Sequence, residues 1–154
     1  MNQAPTIRRA WTTEAEALTE LALRAKATWG YDAAFIEACR AELTMTPERL
    51  AAWMVWVAEV DGMIAGMIAL GLDGDAEVED FFVEPEFQGQ GVGGLLMATL
   101  LDACRAQNVT SVSVDADPNA EGIYARFGFA TVGRSPSGSI PGRFLPRMES
   151  KLQS

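Results

Sequence analysis

The sequence has 154 residues, 49% of them apolar and 21% charged, which suits a single cored domain over residues 1–154 and excludes disorder as the dominant state. Twelve basic against 21 acidic side chains leave a net charge of −9, which argues against general nucleic-acid binding, a function that needs a basic face. There is no histidine, so Ser-His-Asp and Cys-His catalysis and most zinc sites are removed; no metal is expected, and any general base must be a carboxylate, Tyr, Lys, Cys or water.

Thr6–Arg9 is a short candidate first strand. A helix is expected to start at Thr13-Glu14-Ala15-Glu16, a capping box, and to carry Leu18, Leu21, Ala22 and Ala25 at helical spacing until Gly30 stops it. Asp32 can cap a second helix with Phe35, Ile36, Cys39 and Leu43 on one side, and Pro47 opens a short third one. Three strands follow as a meander. Met54–Val60 and Met63–Leu72 flank the strong hairpin signal Asp61-Gly62, and Ala76–Val83 is the third. Strict alternation in that third strand would put Glu77, Glu79, Phe81 and Val83 on one face and Val78, Asp80 and Phe82 on the other.

Beyond a glycine-rich stretch, Val92, Leu95, Leu96, Leu100, Ala103 and Cys104 mark a strong amphipathic helix. Val109–Val114 reads as a strand, Asn119 as the cap of a short helix through Phe127, and Phe129–Gly133 as another strand. Ser135–Gly142 is a Ser-, Pro- and Gly-rich loop, and Arg143–Leu152 returns as a last strand. The order β-α-α-β-β-β-α-β-α-β-β is that of an α+β (mixed α/β) domain, a mixed sheet with helices on its faces. Cys39 and Cys104 sit among helix-type apolar residues and read as buried, reduced thiols. Apolar stretches fall short of the ~20 residues a spanning helix needs, and no leader pattern opens the chain; the expectation is a cytoplasmic protein without a membrane partner.

The segment from Gln88 to Gly94 carries the most chemistry. A helix N-terminus offers unpaired backbone N–H groups and partial positive charge, and glycines let a phosphate oxygen approach them closely. Leu95 and Leu96 follow Gly94, so this is no P-loop. Gly89-x-Gly91-x-x-Gly94 matches the dinucleotide fingerprint, but Pro85-Glu86-Phe87-Gln88 separates it from the strand, that strand is third in a meander, and too little chain follows for a second half-fold.

Gln88-x-x-Gly91-x-Gly93 resembles the signature Arg or Gln, two residues, Gly, one residue, Gly or Ala of the GNAT N-acetyltransferase superfamily. The lead-in from Val83 to Phe87 is similar to that family's Val-x-Pro-x-aromatic. Asn119 to Phe129 resembles its Asn-x-x-Ala-x-x-Phe-Tyr-x-x-x-Gly-Phe element, with Gly122 and Ile123 in place of the commoner Ala and Phe or Leu. Gln88 and Gln90 stand where many members have Arg or Lys. The resemblance implies a GNAT-like sheet of about seven strands, mostly antiparallel, with about four helices. It implies acetyl-CoA as donor and a primary amine, on a small molecule or a peptide, as acceptor. It implies that Gln88, Gly89, Gln90, Gly91, Val92, Gly93 and Gly94 hold the pyrophosphate, and that the main chain of Phe81, Phe82 and Val83 pairs with the pantetheine arm. An N–H near Phe82 and Val83 would also stabilise the oxyanion. Asn119 would contact the CoA arm.

Attack on a thioester needs a neutral amine and a proton for the departing thiolate. With model values of ~8.5 for a thiol and ~10 for Tyr, a tyrosine hydroxyl is a suitable donor. Tyr124 holds the family's position for it. For the base, Glu77 and Glu79 share a strand face; a bulge would favour Asp80 instead, and ordered water is a further route. Trp29 and Tyr31, between the first two helices, and Arg143, at the end of the late loop, are the candidate acceptor-binding residues. Two functions compete: an N-acetyltransferase, and a non-catalytic acyl-CoA-binding domain of the same fold. The late strands and apolar content are compatible with a homodimer.

Overall fold

The computed structural model describes residues 4–152. Its Asp61-Gly62 turn has positive φ at both residues, 51° and 78°, as a two-residue hairpin turn that follows strand twist requires. The turn joins β2 (Met54–Val60) to β3 (Met63–Gly71); β4 (Ala76–Val83) pairs antiparallel with β3, and β1 (Thr6–Arg9) with β2. β5 (Ser111–Asp115) lies parallel to β4, and β7 (Phe144–Lys151) joins β5 to the outer strand β6 (Ala130–Pro136). One seven-stranded sheet results, in the order β1-β2-β3-β4-β5-β7-β6. The expected fold class is observed, with five helices among the described residues rather than about four: α1 (Ala15–Ala27), α2 (Ala33–Leu43), α3 (Pro47–Ala52), α4 (Val92–Ala106) and α5 (Glu121–Arg126).

Two cores sandwich the sheet. Val92, Leu96, Met97, Leu100 and Cys104 of α4 pack on Trp56, Ile68, Leu70 and Val78. On the opposite face Leu18 and Leu21 of α1 pack on Val55, Val57, Met67 and Ala69. Each fully buried leucine contributes roughly 1.5–3 kcal/mol. α4 lies so close to β3 that a Cβ on Gly66 would stand 3.0 Å from both Leu96 Cδ1 and the Phe82 carbonyl oxygen. Both cysteines are buried and unpaired in disulfides.

Local chemistry departs from the sequence reading in three places. The first helix is entered through a 3-10 turn at Thr12–Glu14, where the Glu14 carboxylate accepts from the Trp11 N–H at 2.7 Å, so the Thr13–Glu16 box is not the start signal. Asp117, not Asn119, caps the turn before α5, accepting from the Asn119 N–H at 2.8 Å with Pro118 as the first turn residue. β6 runs on to Pro136, because Arg134–Pro136 pair with β7, which shortens the loop after it. The Asp32 cap forms as expected, to the Phe35 N–H at 2.8 Å.

The feature that creates the site is a parting of strands. β4 and β5 pair only at Ala76↔Val112 and Glu77↔Ser113. From Val78 to Val83 the β5-facing edge of β4 has no strand neighbour among the described residues. On its other edge Asp80 stands opposite Ala69 and Val78 opposite Leu70, which leaves Glu79 as the extra residue of a bulge. The bulge flips parity. Ala76, Val78, Phe81 and Val83 all pack toward α4, whereas Phe82 packs toward α1 and α2. The expected grouping of Glu77, Glu79, Phe81 and Val83 on one face is therefore corrected.

Candidate active site

β4 leads through a 3-10 turn at Pro85–Phe87 into the glycine loop, where Gly89 and Gly91 hold φ of +78° and +84°, values a side chain would strain. The first helical bond of α4 runs from the Leu95 N–H to the Gly91 carbonyl at 3.2 Å. The N–H groups of Val92, Gly93 and Gly94 thus have no acceptor within the helix, and no side chain caps them. The Gln88 and Gln90 amides turn back to donate to the carbonyls of Val83 (3.3 Å) and Glu86 (3.1 Å). They brace the loop, and its mouth is left to backbone donors. A Cβ on Gly93 would stand 3.4 Å from the Phe81 ring, ordinary contact distance, so the start of α4 lies against the Phe81 side chain of β4. Free N–H groups at the start of a 15-residue helix, close to an open strand edge, fit a pyrophosphate followed by an extended amide-bearing arm.

A cavity of about 490 Å³ runs from this loop through the parting of β4 and β5 to the α1–α3 side. Phe87, Val92 and Gly93 line one end, Phe81 and Tyr124 the middle, and Trp29, Arg49, Phe82 and Arg143 the other end. Tyr124 is buried between Phe81 and Phe129, edge-on to both at 5.8 and 5.5 Å. Its hydroxyl has no hydrogen-bond partner among the described residues and keeps accessible surface in the cavity. Burial, and then the negative charges of Asp80 and Asp117, push its pKa up, so it stays protonated.

The three β4 carboxylates differ. Asp80 lines the cavity without a hydrogen-bond or ion-pair partner among the described residues. Burial pushes it up to about 8; Arg49 opposes that shift, while Glu79 and Glu42 add to it. Glu79, on the bulge, is raised by burial and then by Glu77, and its side chain occupies the space that Gly71 leaves empty. Glu77 does not line the cavity. It takes both prongs of Arg147, at 2.5 and 2.9 Å, and Arg147 also reaches Asp115 at 3.2 Å.

Of the residues expected to bind acceptor, Trp29 and Arg143 line the cavity; Tyr31 does not. Tyr31 stacks on Phe35 at 4.1 Å and donates to Asp117, whose oxygens lie at 2.9 and 3.0 Å. Arg143 donates to the Tyr31 oxygen at 2.5 Å and lies over the Tyr31 and Phe35 rings. Lys26 pairs with Asp117 at 3.1 Å. These contacts, with the Asn119 N–H, keep the Asp117 pKa below its usual value although burial acts against them. Asp117, Lys26 and Arg49 were missed in the sequence. For Asp117 a signal was available: Asp-Pro is a helix-start pair.

A strand splayed from its parallel neighbour, a bulge beside the gap and a glycine-entered helix thus meet around one cavity. The model of the acetyltransferase (GNAT) domain matches residues 14–139, and the chain belongs to this family. Among solved structures it is similar to a GCN5-related N-acetyltransferase of Rhodopseudomonas palustris, with a TM-score of 0.83, 23% identity and coverage of 99% of this chain and 98% of that one. It is also similar to the PaiA N-acetyltransferase of Thermoplasma acidophilum in complex with coenzyme A, with a TM-score of 0.80, 19% identity and coverage of 97% and 100%. Among curated relatives it is 31% identical over 85 residues to the uncharacterized N-acetyltransferase YafP of Escherichia coli, covering 55% of this chain and 51% of that protein. It is 35% identical over 57 residues to the uncharacterized N-acetyltransferase ycf52 of Gracilaria tenuistipitata var. liui, covering 37% and 31%. The chain spans about half or less of the length of these relatives. Among the described residues no helix is long and apolar enough to cross a membrane.

Proposed function

We propose that the protein transfers an acetyl group from acetyl-CoA to a primary amine by direct attack. The observation that carries this is the continuity of the cavity, which joins the free N–H groups of the glycine loop to a buried tyrosine hydroxyl and an unpaired carboxylate. The donor contributes an activated thioester carbonyl. The backbone from Gly89 to Gly94 holds its pyrophosphate, and the open edge of Phe81–Val83 pairs with its arm, with a backbone N–H at Phe82 or Val83 placed for the oxyanion. Asp80, brought toward the acceptor side by the bulge, takes the proton from the amine nitrogen. Tyr124 donates its hydroxyl hydrogen to the departing sulfur, so one proton leaves nitrogen and one arrives at sulfur. Trp29 and Arg143 line the acceptor end; Glu79 borders it, and Glu77 is tied up with Arg147.

Calorimetric titration of acetyl-CoA into the protein, beside Gly91→Glu, tests the reading. The variant forces a side chain into positive φ and sets a carboxylate at the anion site, and it is expected to weaken binding by ~100-fold or more. Thiol release in an amine screen then separates an enzyme from an acyl-CoA-binding domain. Folded protein that binds no acetyl-CoA refutes both.

A further inference from the structure

The Tyr31 hydroxyl is saturated. It donates its one hydrogen to Asp117 and accepts from the Arg143 guanidinium at 2.5 Å and from the Asn119 side-chain amide at 3.0 Å. Tyr31 lies in the α1–α2 connection, and its partners come from two distant segments, the turn after β5 and the loop between β6 and β7. The second hydrogen of the Asn119 amide goes to Asp117 at 3.0 Å, so both of its donors are fixed and its carbonyl oxygen is left free to accept. Lys26, at the end of α1, closes the group through Asp117. Apart from Asn119, which is exposed, the members are half-buried, in the range where hydrogen bonds hold geometry rather than merely decorate a surface.

We propose that Tyr31 is a positioning residue for the donor side of the site. Its hydroxyl, held by Asp117 and Arg143, fixes the Asn119 amide so that the free carbonyl oxygen meets an N–H of the pantetheine arm. The inference rests on the acetyltransferase reading, in which Asn119 contacts that arm. It moves Tyr31 from the acceptor surface, where the sequence placed it, to a link between the acceptor end and the donor end. Arg143 belongs to both, since it lines the cavity and bonds Tyr31.

The test is calorimetry with CoA on the unaltered protein, Tyr31→Phe, Asn119→Ala and the double variant. Tyr31→Phe keeps the ring stacked on Phe35 and removes only the hydroxyl. It is expected to raise the Kd for CoA about fivefold, the loss of one neutral hydrogen bond. The double variant should bind no more weakly than Asn119→Ala alone, because Tyr31 acts through Asn119. The nucleotide half of CoA, with its pyrophosphate but without the pantetheine arm, should bind Tyr31→Phe and the unaltered protein equally. Asp117→Asn, which keeps the turn cap and loses the charge, should reproduce the Tyr31→Phe pattern. An unchanged CoA Kd in both Tyr31→Phe and Asp117→Asn, additive losses in the double variant, or an equal loss for the nucleotide half each overturn the proposal. If the unaltered protein binds no CoA, the acetyltransferase reading fails and this inference falls with it.

Discussion

The two ends of the cavity are built from different material. The donor end is backbone: N–H groups at the start of α4, glycines at positive φ and an unpaired strand edge. The end proposed for the acceptor is side chains, with Trp29, Arg49, Phe82 and Arg143 arriving from four separate segments. A ligand common to a whole family is read by main chain, which sequence drift cannot alter so long as the glycines stay. A ligand peculiar to one protein is read by side chains that tertiary contacts assemble. Tyr124 and Asp80 lie between the ends, and variants there sharpen the contrast most.

The largest effect is expected at Tyr124. Phe at this position keeps the edge-on packing against Phe81 and Phe129 and removes the hydroxyl proposed as proton donor to the sulfur. Turnover should fall by about 100-fold with the acetyl-CoA Kd nearly unchanged, since general-acid help is of that order. Steady-state kinetics beside calorimetry checks it. A loss confined to binding would place Tyr124 in the wall of the donor end rather than in the chemistry.

Asp80 comes next. As a base it must be ionised, and burial pushes it up to about 8, so turnover should rise with pH through that value. Asp80→Asn should lower turnover roughly tenfold or more and abolish that limb, leaving only the rise from the amine itself near ~10. Stability moves the other way. A carboxyl whose folded pKa is raised lends stability below its unfolded value of about 3.9, and this is lost as pH climbs toward the folded value near 8. Asp80→Asn should therefore match the unaltered protein near pH ~4 and exceed it by roughly 2 kcal/mol above pH ~8, water in the open cavity reducing the full linkage. Thermal melts across that range read it directly. A pH-independent difference would mean that folding leaves the Asp80 pKa at its unfolded value.

The contrast between the ends also explains what the sequence revealed. The glycine loop, the α4 stripe and the Asp61-Gly62 turn are local: spacing and backbone chemistry write them within a few residues. The element order and mixed sheet follow from them, and the structure bears them out. The bulge at Glu79 is not local. It is set by how β3 and β4 register, with Gly71 empty to admit the Glu79 side chain, and no periodicity in β4 alone shows it. Parity counting consequently favoured Glu77 and left Asp80 as the alternative. The Tyr31–Asp117–Asn119 group was equally hidden, since its members are up to 88 residues apart. Ionic partners such as Arg147 for Glu77 become visible only when β7 is laid beside β5.

Glu77 carries the smallest expected effect and the cleanest discrimination. Its carboxylate is held by both prongs of Arg147 and does not line the cavity, so it is not poised to take a proton from an amine there. Glu77→Gln should change turnover by less than about threefold, because the pair is partly exposed and contributes only ~1 kcal/mol to holding β4 against β7 across β5. The pH profile should keep its limb near 8, which belongs to Asp80. If Glu77→Gln instead costs more than tenfold and removes that limb while Asp80→Asn does not, Glu77 must leave Arg147 when substrates bind, since the bulge already sets Glu77 and Asp80 on the same face of β4. Either result assigns the base by the partners each carboxylate keeps, which the neighbouring strands supply and the sequence of β4 alone does not encode.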